Sequence, residues 1–266
     1  MYPVLFRLGD FEIHSFGLMM ALAWLAASYY LDRKFAGCAD SGVMRDGRTL
    51  PVSDLVLWAL AGSLIGGRLL YLVVEYPSWT ADAWAAIFSR SGFVFYGGLF
   101  GGVIAGLCVV KKHGLSIPKI GDGMAPALAL GLFIGRIGCF LAGDDYGIPS
   151  RVPWAVTFTD PESLAPLGVP LHPTQLYLSF NGLFLFTILN FQLRRRAFPG
   201  QILSLFFILY SSTRFGWEFL RGDPRGSYGP FSTSQWISLL VFPSGIWLYK
   251  YFRGQIPNSQ PGGTDR

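Results

Sequence analysis

The stretch IGDGMAPALALGLFIGRIGCFLAG, residues 120–143, is long and apolar enough to cross a bilayer, yet it carries Arg136 in its second half. About 20 such residues cover 30 Å of hydrocarbon. An arginine at that depth costs from about 2.5 to well over 10 kcal/mol, depending on the method of estimate. Two other apolar segments repeat the anomaly, with Arg68 inside 52–74 and Arg214 inside 200–221. Three intramembrane arginines mark a protein that draws an anionic group into the membrane and works on it.

Outward from 120–143, six further apolar segments lie at 14–32, 52–74, 93–110, 173–193, 200–221 and 234–252. The expected fold is therefore all-α and integral to the membrane, with about seven transmembrane helices. The stretch 78–92, with Trp79, Trp84, Phe88 and Arg90, is too short and mixed to span and reads as an interfacial helix. Hydrophobic residues make up 52% and charged ones 14%, and the mean hydropathy is +0.41, which excludes an ordinary soluble globule. One polytopic domain over 1–254 is expected, then a short polar cytoplasmic tail over 255–266. The N-terminus lacks the basic region and cleavage site of a signal peptide, so insertion without processing is expected. Cys38, Cys108 and Cys139 are scattered without metal-ligand spacing, and no metal or cofactor is expected.

The net charge of +5 argues poorly for a nucleic-acid partner, because most basic residues sit in short loops beside spans. Of the 21 Lys and Arg, Arg7, Arg90, Arg151, Arg221 and Arg225 fall on one set of connections, and three are intramembrane. The other thirteen, including Arg45, Lys112 and Arg195, fall on the opposite set. The positive-inside rule then places the N-terminus outside and the C-terminus in the cytoplasm.

On that topology the unusual polar residues gather toward the outer leaflet. Arg68 precedes Tyr71 and Glu75; Arg136 lies below Asp144 and Asp145; Tyr96 and His172 begin spans three and five. Arg214, Glu218 and Arg221 are spaced to share one helix face. Each also has a plainer reading. Arg68 could bond helix carbonyls, Arg214 could neutralise Glu218, and His172 before Pro173 could cap span five. Cys139, one turn from Arg136, reads as a small packing residue rather than a nucleophile. The glycine pairs Gly62/Gly66, Gly97/Gly101, Gly98/Gly102 and Gly131/Gly135 have the spacing of close helix packing. Gly97-Gly98, near a helix start, could instead cradle phosphate. Arginines suit a phosphodiester because the planar fork offers paired donors and its charge does not titrate away.

The end of segment 120–143, with the residue after it, reads Gly135-Arg136-Ile137-Gly138-Cys139-Phe140-Leu141-Ala142-Gly143-Asp144. It resembles the signature Gly-Arg-x-Gly-Asn-Phe-x-x-Gly-Glu of the prolipoprotein diacylglyceryl transferase family. The likeness extends to Gly66-Gly67-Arg68, Phe95-Tyr96-Gly97-Gly98, Pro153-Trp154-Ala155 and His172-Pro173-Thr174-Gln175-Leu176-Tyr177. It continues through Arg214-Phe215 and Glu218-Phe219-x-Arg221 to Ser234-Gln235. The resemblance implies transfer of a diacylglyceryl group from phosphatidylglycerol to the lipobox cysteine of a prolipoprotein, in a bacterial inner membrane. It implies that Arg136 and Arg214 stabilise the leaving phosphate and that Tyr96 or Asp144 handles the acceptor thiol. It further implies a substrate-binding shell of Arg68, Arg221, Glu218, His172, Gln175, Tyr177, Gly97, Gly98 and Cys139.

The departures fall on one half of the pattern. Tyr96 stands where the family carries a histidine, Cys139 replaces an asparagine, Asp144 a glutamate, and Phe16 a tyrosine. Tyrosine, with an ordinary pKa near 10, is a poor base at neutral pH. Two alternatives therefore stay open: a related phospholipid-dependent transferase with another acceptor, and a lipid-binding or transport protein without chemistry.

Overall fold

The computed structural model describes residues 2–9, 11–36, 52–74 and 92–255. Each of the seven apolar segments holds a helix: α1 Ser15–Ala36, α2 Val52–Val74, α3 Phe95–Lys112, α4 Ile117–Ala142, α5 Thr174–Leu193, α6 Gln201–Trp217 and α7 Thr233–Gly254. Of these, α2, α3, α4 and α5 are long and apolar enough to cross a membrane. Their large side chains are turned outward: Ile65, Leu69 and Val73 on α2, and Phe180 and Phe184 on α5, are exposed. Apolar faces of that extent suit a hydrocarbon solvent and would aggregate in water. The anticipated interfacial helix lies outside the described residues except for Gly92, as do Cys38, Arg45 and most of the polar tail.

Three short antiparallel hairpins punctuate the helices, none of them anticipated. They are β1 Val4–Leu8 with β2 Phe11–His14, β3 Val156–Thr157 with β4 Pro170–Leu171, and β5 Ser227–Tyr228 with β6 Phe231–Ser232. The two-residue strands β3 to β6 carry no alternation long enough to register as a pattern.

The chain forms two compact units, one of residues 31–120 and one of 1–30 with 121–266. In the first, the spaced glycines of α2 and α3 meet backbone to backbone. A Cβ added to Gly66 would lie 2.9 Å from Gly101 Cα, and one added to Gly101 3.0 Å from Gly66 Cα. Gly131 and Gly135 behave differently: nothing lies within 4 Å of the first, and only Met20 Sδ, at 3.5 Å, of the second. In the larger unit the close approach is made by Gly182 on α5, whose added Cβ would come 2.7 Å from Phe133 N on α4.

The core of that unit joins Ala125 and Ala129 of α4, Leu185 and Leu189 of α5, and Ile202 and Phe206 of α6. Beside it, fully buried Asp122 accepts the N–H groups of Gly200, Ile202 and Leu203 at 2.8, 2.9 and 3.0 Å. The first N–H groups of a helix lack intrahelical partners. Here α6 has no side-chain cap of its own, and a carboxylate from α4 supplies one.

Candidate functional site

The helix that carries Arg136 ends in a turn that shapes everything near it. Gly143 adopts φ 73°, its N–H reaching the Phe140 carbonyl at 3.3 Å, while Asp144 N–H reaches the Cys139 carbonyl at 3.0 Å. This is the Schellman closure that glycine permits. Asp145 follows at φ 58°, the one positive φ among described non-glycine residues. Such a conformation costs about 1–2 kcal/mol and persists where neighbours impose it. Those neighbours are on the first turn of α5: Thr174 Oγ1 donates to the Asp145 carbonyl at 2.8 Å, and Gln175 Nε2 to the Asp144 carbonyl at 2.7 Å.

Residues 146–148 are then laced on both sides. Gly147 N–H donates to the His172 carbonyl at 3.1 Å, and His172 N–H to the Ile148 carbonyl at 3.0 Å. Ile148 N–H donates to the Leu220 carbonyl and Gly222 N–H to the Tyr146 carbonyl, both at 3.0 Å. The helical face expected to unite Arg214, Glu218 and Arg221 is not formed. α6 ends at Trp217, a 3₁₀ turn occupies Glu218–Leu220, and Arg221 is extended. The lacing brings Arg221 beside Asp145 instead.

Four guanidinium groups and three carboxylates result in one connected network. Asp145 accepts from Arg136 through one oxygen and from Arg221 through the other, and Arg225 lies 3.6 Å from it. Arg221 grips Asp223 with Nε at 2.8 Å and Nη2 at 3.0 Å. Arg225 bonds both Asp223 and, at 2.6 Å, Glu218. Glu218 also takes Arg214 and, at 2.8 Å, the Ser232 hydroxyl; Arg214 Nη2 reaches Ser234 Oγ at 3.2 Å. The Arg221 and Glu218 side chains are only 1% and 2% exposed, so neither charge is tolerable without these partners. Among the described residues, two donors of this network stay unmatched, Arg221 Nη1 and Arg225 Nε. Arg136 and Arg214 also face a common cleft with Leu132, Leu178, Asn181, Gly182 and Tyr210.

The carboxyl groups at the helix end divide. Burial disfavours the ionised form of Asp145, but Arg136 and then Arg221 outweigh it and hold the group below the usual carboxylate range. Asp223 is likewise buried, and hydrogen bonds from Arg221 and Arg225 bring it below that range. Asp144 is pushed up, first by burial and then by the charge of Asp145. Cys139, Asp144 and Asp145 offer atoms within 4.8 Å of one another. That trio fits a cation badly, because Asp145 is committed to two arginines and further guanidinium charge stands around it.

The anticipated residues fare unevenly. Arg136, Arg214, Arg221 and Glu218 come together. Asp144 lies alongside, but among the described residues its carboxylate accepts only the N–H of Asp145, at 2.7 Å, and forms no ion pair. Gln175 is fully buried and acts on the turn rather than opening to the cleft. His172 does not cap α5, whose N-cap is Pro173 without a side-chain bond. Its Nδ1 lies 3.2 Å from the Tyr177 hydroxyl, which also accepts Trp154 Nε1 at 2.6 Å. Cys139 is buried. In the smaller unit, Arg68 donates to the Gly92 carbonyl at 2.7 Å and lies over the rings of Tyr71 and Phe93. Gly97 packs against the Gly66 carbonyl and a Gly98 Cβ would meet Ser63 O at 3.2 Å, so both glycines serve helix contact. Tyr96 is part exposed, edge-on to Phe95. Asp145, Asp223 and Arg225 were not anticipated as site residues; the alternation Arg221-Gly-Asp223-Pro-Arg225 is the signal that points to the last two.

A family model described as prolipoprotein diacylglyceryl transferase matches residues 3–251. A phosphatidylglycerol–prolipoprotein diacylglyceryl transferase of Clostridium tetani is 37% identical over 253 residues, covering 95% of this chain and 98% of the relative. A protein of Clostridium perfringens named as the second such transferase is 34% identical, over 92% of this chain and 93% of its own. One of Bordetella avium is 35% identical, over 93% of each.

Proposed function

The chain belongs to the prolipoprotein diacylglyceryl transferase family, and we propose on that premise that it is a transferase moving a diacylglyceryl group from phosphatidylglycerol to a prolipoprotein cysteine. The acceptor sulfur attacks the glyceryl carbon that bears the phosphate. A C–S bond forms, the C–O bond to phosphate breaks, and its electron pair leaves with glycerol phosphate; the thiol proton passes to solvent or to that leaving group. The carrying observation is the arginine surplus at the C-terminal end of α4, where Arg221 Nη1 and Arg225 Nε are buried without partners among the described residues. Donors fixed before the reaction stabilise charge as it develops on the leaving oxygens.

Arg136 and Arg214, which share a cleft, are assigned to the donor phosphate, Arg221 to its head-group side, and Glu218 to holding Arg214 in place. Tyr96 is assigned to the acceptor thiol on the resemblance alone. The seven apolar segments support seven spans, the family supports a bacterial inner membrane, and the Lys and Arg distribution supports an N-terminus outside with the arginine end toward the outer leaflet. A phospholipid reaches that depth unaided.

Incubating the purified protein with phosphatidylglycerol vesicles and a lipobox peptide tests this reading. A thioether adduct on the peptide is expected. A product on another acceptor would favour the alternative that Tyr96 and Cys139 leave open, and intact bound lipid would favour a protein without chemistry.

A further inference from the structure

We infer that Asp145, and not Asp144 at the acid position of the family signature, is the positioning carboxylate that sets Arg136 and Arg221 for the lipid phosphate. The inference rests on the transferase reading and adds the residue that aims its anion site. Asp145 gives one oxygen to Arg136 on α4 and the other to Arg221 beyond the 3₁₀ turn, joining two segments that carry like charge. Asp144 has its carboxylate folded onto the N–H of Asp145 at 2.7 Å, where one methylene fewer than glutamate leaves it spent on the turn. The left-handed backbone at Asp145, pinned by Thr174 and Gln175 through consecutive carbonyls, aims its side chain into the arginines. Without that carboxylate the two guanidinium groups repel, and the buried one at Arg221 is left undercompensated. With it, both are held while Arg221 Nη1, buried, has no acceptor among the described residues. Asp145 acts through the arginines and touches no reacting atom.

In this chain the acid has therefore moved one position along the turn. Three proteins test it with phosphatidylglycerol vesicles and a lipobox peptide: wild type, Asp145→Asn, and Asp145→Asn combined with Asp144→Glu. Thioether formation gives kcat and KM for the lipid, and gel filtration in detergent reports folding. Asp145→Asn is expected to lower kcat/KM about 100-fold, mainly through KM. The added Asp144→Glu, reaching one methylene further, is expected to restore it to within about 5-fold of wild type. A residue needed only to shape the turn would not be rescued by an acid at its neighbour. Asp145→Asn retaining half of wild-type kcat/KM would overturn the inference. So would a double variant that elutes as folded protein but stays as slow as the single one, or failure of both variants to fold. A wild-type protein that leaves the peptide unmodified would instead strike at the transferase reading.

Discussion

Asp122 and Asp145 stand near the two ends of α4 and are satisfied in opposite ways. Asp122 receives three backbone N–H groups from the start of α6, and Arg196 lies 3.4 Å away. Its acceptors are filled by donors that belong to the fold, and that end of the unit is closed. Among the described residues the Asp145 carboxylate receives only guanidinium groups, and the network around it still leaves Arg221 Nη1 and Arg225 Nε without acceptors. A carboxylate facing main-chain donors staples two helices together. A carboxylate facing a surplus of arginines is the arrangement on which the anion site is proposed.

Breaking the closed end should have the largest effect, on stability. Asp122→Ala strands three backbone donors, each worth about 1–3 kcal/mol when buried without an acceptor. A loss of at least ~3 kcal/mol is expected, read as a clear fall in the melting temperature in detergent, with the KM for phosphatidylglycerol of the folded fraction unchanged. A parallel rise in that KM would show the two ends to be one system.

At the other end the effect should fall on the reaction. Arg136→Lys keeps the charge but loses the fork, and a loss of about 2 kcal/mol in transition-state stabilisation, roughly 30-fold in kcat/KM, is expected. Near-normal turnover with lysine would reduce Arg136 to a counter-ion for Asp145.

Tyr96→Phe should cost less, about 0.5–1.5 kcal/mol for one hydrogen bond from its hydroxyl, with folding retained. Tyr96→His sharpens the point: a histidine base with a pKa near 6.5 should preserve or raise thiol transfer near pH 7. If histidine instead abolished the native reaction while phosphatidylglycerol still bound, the acceptor would be something other than a thiol.

The smallest effect concerns pH. Folding holds the Asp145 and Asp223 carboxyls below their usual range, so their contribution to stability is complete above the unfolded value near 3.9 and is lost as pH falls through the folded one. Asp144 is raised, so its contribution is present below the unfolded value and lost as pH rises through the folded one. Melting temperatures in detergent should therefore be nearly flat from about pH 8 to 6 and fall under strong acid. Stability that instead climbs as pH falls below about 6 would mean that burial, and not its arginines, governs Asp145.

Much of this architecture was legible in the chain because hydrocarbon demands long apolar runs, and those runs hold the seven helices. Close packing of α2 on α3 was legible through the pairs Gly62/Gly66 and Gly97/Gly101, since that spacing repeats along one helix face. Gly182 has no partner at that spacing and makes its contact alone. Arg136 and Arg214 stood out by their cost in the membrane, and Arg221 by its spacing from Arg214. The acid that bridges Arg136 and Arg221 did not, because Asp145 reaches them only through a left-handed residue after a Schellman turn, held by α5. Asp122 was hidden for a similar reason: its partners are main-chain groups some 80 residues away, and backbone donors leave no residue-specific trace.

Under the proposed function the arginine surplus, not the apolar surface, recognises the donor through its phosphate. Native mass spectrometry of the purified protein with phosphatidylglycerol and, separately, with diacylglycerol of the same chains measures this. Wild type is expected to retain phosphatidylglycerol far better than diacylglycerol, with the preference kept in Asp122→Asn, lost in Arg214→Ala and weakened in Arg136→Lys. Equal retention of the two lipids by wild type, or a preference unchanged in both arginine variants, would contradict it.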